Sequence, residues 1–307
     1  MVQKRLKDVA ASVHQRLLNE SRRAGKPFNA LLEHYALERF LYRLSKTEHA
    51  KSLVLKGGLL AIALEGARSR ATRDADFSSV VHLSDEQLKA LVSEVCSVAV
   101  AEDGLQFDSK SLSSEDMSDQ GGSRGVRLKF SGRLGNARVT MRIDIGFGNV
   151  IVPKPVEMEF PVLLDHEPPR LLAYSKETII AEKFQAAIQL ATANGRLNDF
   201  YDVWNLSRTF DFEGLILQEA IQATFKRRQT EVDPEAEVFS DAFATDTPRQ
   251  ETWSAFLRRK SVVDATLDFR SVMRSYSGFL RPLAAACDRE EKFNRAWVAG
   301  GPWKRQE

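Results

Sequence analysis

The hydrophobic period of this 307-residue chain changes twice. Over the first hundred residues apolar side chains recur mainly at helical spacing. From Gly104 to Leu164 they alternate, and after Pro168-Pro169 the helical spacing returns. A chain patterned in this way is neither a pure helical bundle nor a pure strand barrel. The spacing predicts an α+β protein, with a small sheet near the middle, flanking helices and a helical C-terminal half. No repeat of about 20–50 residues is visible, which excludes a solenoid or propeller. At roughly 150 residues per domain the length allows two, and the change of pattern divides them into 1–168 and 169–307.

Within the first part, Leu6, Val9, Ala10, Val13 and Leu17 form a helical stripe that Gly25-Lys26-Pro27 stops. Phe28, Leu31, Leu32, Tyr35, Phe40, Leu41 and Leu44 form a second. A short apolar strand, Leu53-Val54-Leu55, leads through Lys56-Gly57-Gly58 into a helix over 59–65. A polar loop, 66–73, precedes a strand containing Asp74-Ala75-Asp76-Phe77, and Ser84 caps a helix running to about Ala101. Further strands are predicted over 105–111, 126–130, 138–146 and 156–163. The Ser-, Gly- and Asp-rich stretch 113–124 reads as a mobile loop. Helices are predicted over 176–193, 198–207, 213–226, 250–260 and 265–288, and the acidic stretch 230–247 as a linker or surface loop.

Composition narrows the function classes. Lys+Arg is 44 and Asp+Glu is 42, a net charge of +2, so any contact with nucleic acid depends on a local basic face. Cys96 and Cys287 are too few for a disulfide framework, and the five histidines (14, 34, 49, 82, 166) lack metal-ligand spacing. No apolar run is long enough to cross a membrane, and the N-terminus reads as an amphipathic helix, so a cytoplasmic protein is expected.

The acidic residues carry the chemistry. Asp74 and Asp76 lie two apart on a predicted strand and leave the same face. Such a pair is either a solvated surface doublet or a cation site, and beside phosphates it suits Mg²⁺ or Mn²⁺. Lys56-Gly57-Gly58 opens a helix, where glycines permit close approach and free N–H groups receive a phosphate; the alternative is simply a tight turn. Arg68, Arg70 and Arg73 are donors to a triphosphate or members of a solvated loop. On the strand Val139–Ile145, Thr140, Arg142 and Asp144 share the polar face. If the strands are neighbours, Asp144 joins Asp74 and Asp76 in an arrangement suited to two-metal nucleotidyl transfer. Tyr201 and Trp204 read as core aromatics, His34 as a core or boundary histidine, and Arg227-Arg228 and Trp303-Lys304-Arg305 as solubilising clusters or RNA contacts.

The segment LVLKGGLLAIALEGARSRATRDADF resembles the first motif of the AbiEii/AbiGii abortive-infection toxin family of polymerase-β-like nucleotidyltransferases. ERFLYRLSK before it, and RIDIGFG and ETIIAEKFQAAIQL…NDFYDVW after it, follow the same order over about residues 30–210. The resemblance implies a small mixed-sheet nucleotidyltransferase core. It also implies that Lys56, Gly57, Gly58, Arg68 and Arg73 meet the NTP, that Asp74, Asp76 and Asp144 hold the metal, and that Lys183 contacts triphosphate. Asp199 and Asp202 match the fourth motif, preceded by Asn198 where the family often has a basic residue. Without the resemblance, Lys183 reads as a solvated helix lysine.

The expected activity is metal-dependent transfer of a nucleoside monophosphate from an NTP to an acceptor, tRNA by the resemblance. The chain would be the toxin of a pair with a winged-helix antitoxin. Arg68, Arg70, Arg73, Lys183 and Arg196 are the expected basic contacts to RNA. A nucleotide-binding regulatory module without turnover, and a transferase acting on a small molecule or protein, are the alternatives.

Overall fold

The structure is a computed structural model and describes residues 2–65, 72–118, 124–190, 196–259 and 267–306. The chain forms two compact units, one from residues 1–149 and 155–173, the other from 150–154 and 174–307.

The first unit opens with helices α1 (Val2–Ala24) and α2 (Phe28–Ser45). Gly25 between them takes φ +62°, a left-handed conformation that ends a helix, and Pro27 precedes α2. Then follow β1 (Leu53–Lys56), α3 (Gly57–Glu65), β2 (Ala75–Ser79), α4 (Asp85–Ser97), β3 (Leu105–Ser118), β4 (Arg124–Leu134), β5 (Ala137–Phe147), β6 (Val156–Glu159) and β7 (Arg170–Ala173). Among the described residues these strands form one mixed sheet in the order β3-β4-β5-β2-β1-β7-β6. The β2/β5 and β1/β7 pairs are parallel and the other neighbours antiparallel.

Alternation gives the sheet one apolar face. Val126, Leu128 and Phe130 on β4, and Val139, Met141, Ile143 and Ile145 on β5, are buried. Helix α2 packs against β5, and the Phe40 ring meets Phe130 and Phe107 at 5.6 and 6.1 Å. Arg39 and Arg43, one helical turn apart on α2, both bind the buried Asp103 carboxylate. Arg43 does so through two nitrogens at 2.7 and 3.1 Å, and Arg39 through Nε at 3.2 Å. The Leu105 N–H also donates to Asp103, so the charge is fully paired where the chain enters β3. His34, beside Phe160, is largely buried, which lowers its pKa to about 4 and keeps the ring neutral.

Several boundaries differ from the sequence reading. The expected mobile loop 113–124 is strand as far as Ser118. Backbone pairing with β4 and the Lys129–Glu115 ion pair hold this polar arm, with a register shift between Asp108 and Ser113; residues 119–123 lie outside the described residues. Ser84 caps helix α4 as expected, within a capping box that Gln87 completes, but the helix ends at Ser97 instead of Ala101. β6 stops at Glu159, short of 163, and β7 occupies 170–173, where helix was expected to begin.

The second unit contains α5 (Lys176–Leu190), α6 (Leu197–Thr209), β8 (Phe212–Glu213), α7 (Gly214–Arg227), a 3-10 turn (Glu237–Phe239), α8 (Asp241–Thr245), α9 (Thr247–Arg259), α10 (Phe269–Asp288), β9 (Arg295–Trp297) and β10 (Trp303–Arg305). The stretch 230–247 is not a linker, because Val238, Phe239 and Phe243 are buried and the Phe239 ring packs on Phe184 and Tyr276. Nor does the chain stay helical to its end: β8, β9 and β10 form a small antiparallel sheet. Trp303, considered as an RNA contact, stacks on Phe279 and donates its indole N–H to the Phe279 carbonyl. Tyr201 is buried beside Trp204 and Trp253, as expected of a core aromatic.

Glu38 on α2 is fully buried, with Oε2 accepting from the Leu163 N–H and Oε1 lacking a hydrogen bond. Burial pushes its carboxyl up from 4.5 to about 7, against the opposing pull of the Leu163 N–H and Arg39. The folded protein therefore holds a proton that the unfolded chain releases. This contribution to stability is complete below about pH 4.5 and is lost as the pH rises through 7. Glu38→Gln is expected to remove that slope and to raise stability at pH 8 by up to about 3 kcal/mol. Urea denaturation at pH 5 and pH 8 checks this, and an unchanged difference between the two pH values would refute it.

Candidate active site

The parallel register of β2 and β5 sets Asp76 directly beside Asp144. Extending the row across the sheet, Lys56 on β1 lies opposite Asp76, Arg127 on β4 opposite Asp144, and Glu115 on β3 opposite Arg127. Five strands thus carry a lateral row of charges in which two acids are neighbours and cations flank them. Asp74 lies just before β2, not within it as expected, and shares the face of Asp76.

Each acid has a distinct environment. Asp144 is buried and held by a two-pronged ion pair, with Arg127 Nε on Oδ1 at 2.8 Å and Nη2 on Oδ2 at 2.6 Å. Among the described residues, Asp74 Oδ1 is buried without a hydrogen bond, and Arg142 Nη1 stands 3.6 Å from it. Burial, then the charge of Asp144, pushes the Asp76 carboxyl up to about 6, opposed by Lys56 and by the Gly58 N–H that donates to it. The first turn of α3 therefore faces a carboxylate. Gly57 makes this approach possible: it takes φ +67°, and a Cβ there would stand 2.1 Å from Asp76 Oδ2.

A divalent cation fits part of this donor set, because it would satisfy the orphaned Asp74 oxygen and relieve the crowding of Asp76 by Asp144. Both oxygens of Asp144 are engaged by Arg127. Among the described residues no group of three or more His, Cys, Asp or Glu side chains is arranged to hold a metal. The three acids named from the sequence share one face of the sheet without forming a closed cage. Arg73 pairs with Glu33 of α2 at 3.1 Å, and Arg68 and Arg70 lie outside the described residues.

In the second unit, Lys183 on α5 bonds both Asp199 and Asp202 of α6, at 2.7 and 2.9 Å. Burial alone would lower the pKa of this ammonium, but the charges of Asp202 and Asp199 outweigh it and hold the group protonated. Both acids therefore face the same lysine. Tyr276 on α10 is buried with its hydroxyl unpaired, and burial and the charge of Asp199 keep it protonated. Arg196 precedes α6 as its N-cap residue.

Sequence reasoning did not assign roles to Arg127 and Arg142. Arg142 was on the polar face already recognised for β5, two residues before Asp144. Arg127 becomes visible only once the β4/β5 register is known.

Residues 39–275 match the family model described as nucleotidyl transferase AbiEii toxin, type IV toxin–antitoxin system. The chain belongs to the AbiEii family. The match spans the charged row of the first unit and the Lys183 cluster of the second. No curated protein matches the chain. Two solved Helicobacter pylori structures are similar. JHP933 shares 15% identity with a TM-score of 0.44, covering 85% of this chain and 92% of that one. A candidate nucleotidyltransferase shares 14% with a TM-score of 0.45, covering 85% and 97%. No helix among the described residues is long and apolar enough to cross a membrane.

The close approach of Gly57 to Asp76 predicts that Gly57→Ala displaces the carboxylate and strains the backbone. The left-handed conformation alone costs a residue with a Cβ about 1–2 kcal/mol. A urea midpoint equal to that of the unsubstituted protein would contradict this geometry.

Proposed function

We propose that this AbiEii-family protein transfers a nucleoside monophosphate from an NTP to the end of a tRNA, as the toxin partner of a winged-helix antitoxin. The observation that carries the reading is the pairing of Asp76 with Asp144 beneath the first turn of α3. Two carboxylates packed together on a half-buried face are costly unless a cation or its substitute joins them. Asp74 and Asp76 would hold Mg²⁺ or Mn²⁺. When bound, the ion supplies charge neutralisation for the triphosphate and acidifies an attacking hydroxyl.

The chain's own residues orient the reaction. The N-terminal turn of α3 fixes Asp76 through the Gly58 N–H, and Arg127 holds Asp144 in plane. Lys56 and Arg142 bring positive charge to the same face, as a triphosphate requires. The acceptor hydroxyl oxygen forms a bond to the α-phosphorus, the α–β bridging P–O bond breaks, and pyrophosphate leaves while the hydroxyl proton passes to water. The role of Lys183 towards triphosphate rests on the family resemblance, and that ammonium is paired with Asp199 and Asp202 within its own unit.

Incubation with α-labelled NTPs and total tRNA tests the reading. Label on tRNA supports it. Label on protein or a small molecule moves the acceptor, and tight NTP binding without transfer favours a regulatory module. Asp76→Asn is expected to lower transfer by at least about 100-fold. It should leave the melting temperature unchanged or higher, since it removes one of two adjacent like charges. An Asp76→Asn protein with full transfer activity would overturn the site.

A further inference from the structure

The C-terminal end of the second unit carries a second feature, remote in sequence from the acidic residues of the sheet and from Lys183. A cavity of about 350 Å³ opens beside the end of α10. Its apolar floor includes Ala286 and Phe293, and its rim carries Arg289, Lys292, Arg295 and Arg305. One acid, Glu291, lies on the same rim and contacts Arg289 at 3.3 Å. Among the described residues, Lys292, Arg295 and Arg305 form no ion pair. The volume lies within the range of ligand sites, roughly 300–1,000 Å³.

An independent observation comes from the sheet. In the antiparallel β9/β10 pair, Arg295 lies directly opposite Arg305. Like charges in direct cross-strand register are destabilising. The packing around them is otherwise well ordered: Trp297 faces Trp303 in the same ladder, and the Trp303 ring meets Phe293 edge-on at 4.9 Å. Arg295 lays its guanidinium over the Phe293 ring at 5.3 Å, and Arg305 lies opposite it on the same aromatic base. An anion would relieve their repulsion.

We propose that this cavity binds the phosphate backbone of an RNA strand, gripping the acceptor through residues that take no part in the reaction itself. The inference rests on the RNA-acceptor reading above. Four cations drawn from the end of α10, the following turn, β9 and β10 suit successive phosphates, and the apolar floor suits the face or edge of a base. The net charge of +2 makes such a local patch necessary for RNA binding.

The test is equilibrium binding of a fluorescently labelled tRNA to the full chain across about 50–200 mM salt, comparing the wild type with Arg295→Gln/Arg305→Gln. Each neutralised phosphate contributes a log–log slope of about −0.7 on single strands, so the double variant should bind with a slope shallower by about 1.4. Its affinity at the low end of the range should fall by at least about 10-fold. Its melting temperature should equal or exceed that of the wild type, because a repulsive pair has been removed. That separates lost contacts from lost folding. An unchanged slope and affinity, with tRNA still bound and labelled, overturns the cavity assignment and leaves the acceptor reading standing. No tRNA binding by the wild type, with label transferred to another acceptor, overturns both. Displacement of tRNA by polyglutamate as readily as by competitor RNA assigns the cavity to an acidic protein segment and overturns it as an RNA site.

Discussion

The register of β2 against β5 is the constraint from which the candidate site is built. It places the Asp76 and Asp144 carboxylates side by side, an arrangement that electrostatics opposes, and the neighbouring residues answer that opposition. Lys56 faces the row from one side and Arg127 grips it from the other. Gly57 has no side chain because Asp76 occupies the place where one would stand. The site is therefore a property of five strands in register, not of the acidic doublet alone.

That register is kept by the opposite face. Val126, Leu128, Ile143 and Ile145 fill the layer under α2, and a one-residue slip would turn them to the polar side. The buried Asp103 ties two arginines of α2 to the start of β3, so the helix is positioned by charge as well as by packing. Removing one partner of such a buried cluster leaves an uncompensated charge, which costs more than the whole cluster contributes. The polar face can carry a strained set of charges because the apolar face beneath it is fully satisfied.

Much of this was legible in the sequence. Strict alternation in Val139–Ile145 identified β5 and put Asp144 on its polar face, and Ser84 marked the start of α4. Other features left weak local signals. Residues 113–118 are nearly all polar, so nothing in their own pattern showed that β4 would recruit them into a strand. The apolar run Leu171-Leu172-Ala173 was too short to separate from a helix start, though it supplies the strand beside β1. Phe239 and Phe243 were the overlooked sign that 230–247 is packed. Arg127 acquires meaning only through pairing with a residue seventeen positions later, which no local pattern encodes.

The division of the chain has a consequence for how the protein is made. Residues 150–154 belong to the second unit, yet β6 and β7 come after them and complete the sheet of the first. A ribosome that has released only the first 149 residues has delivered every acid of the charged row, but has left β1, apolar except for Lys56, as an unpaired edge. Such an edge invites pairing with other chains. Neither unit corresponds to one uninterrupted stretch of the gene, so recombination cannot exchange either as a simple cassette.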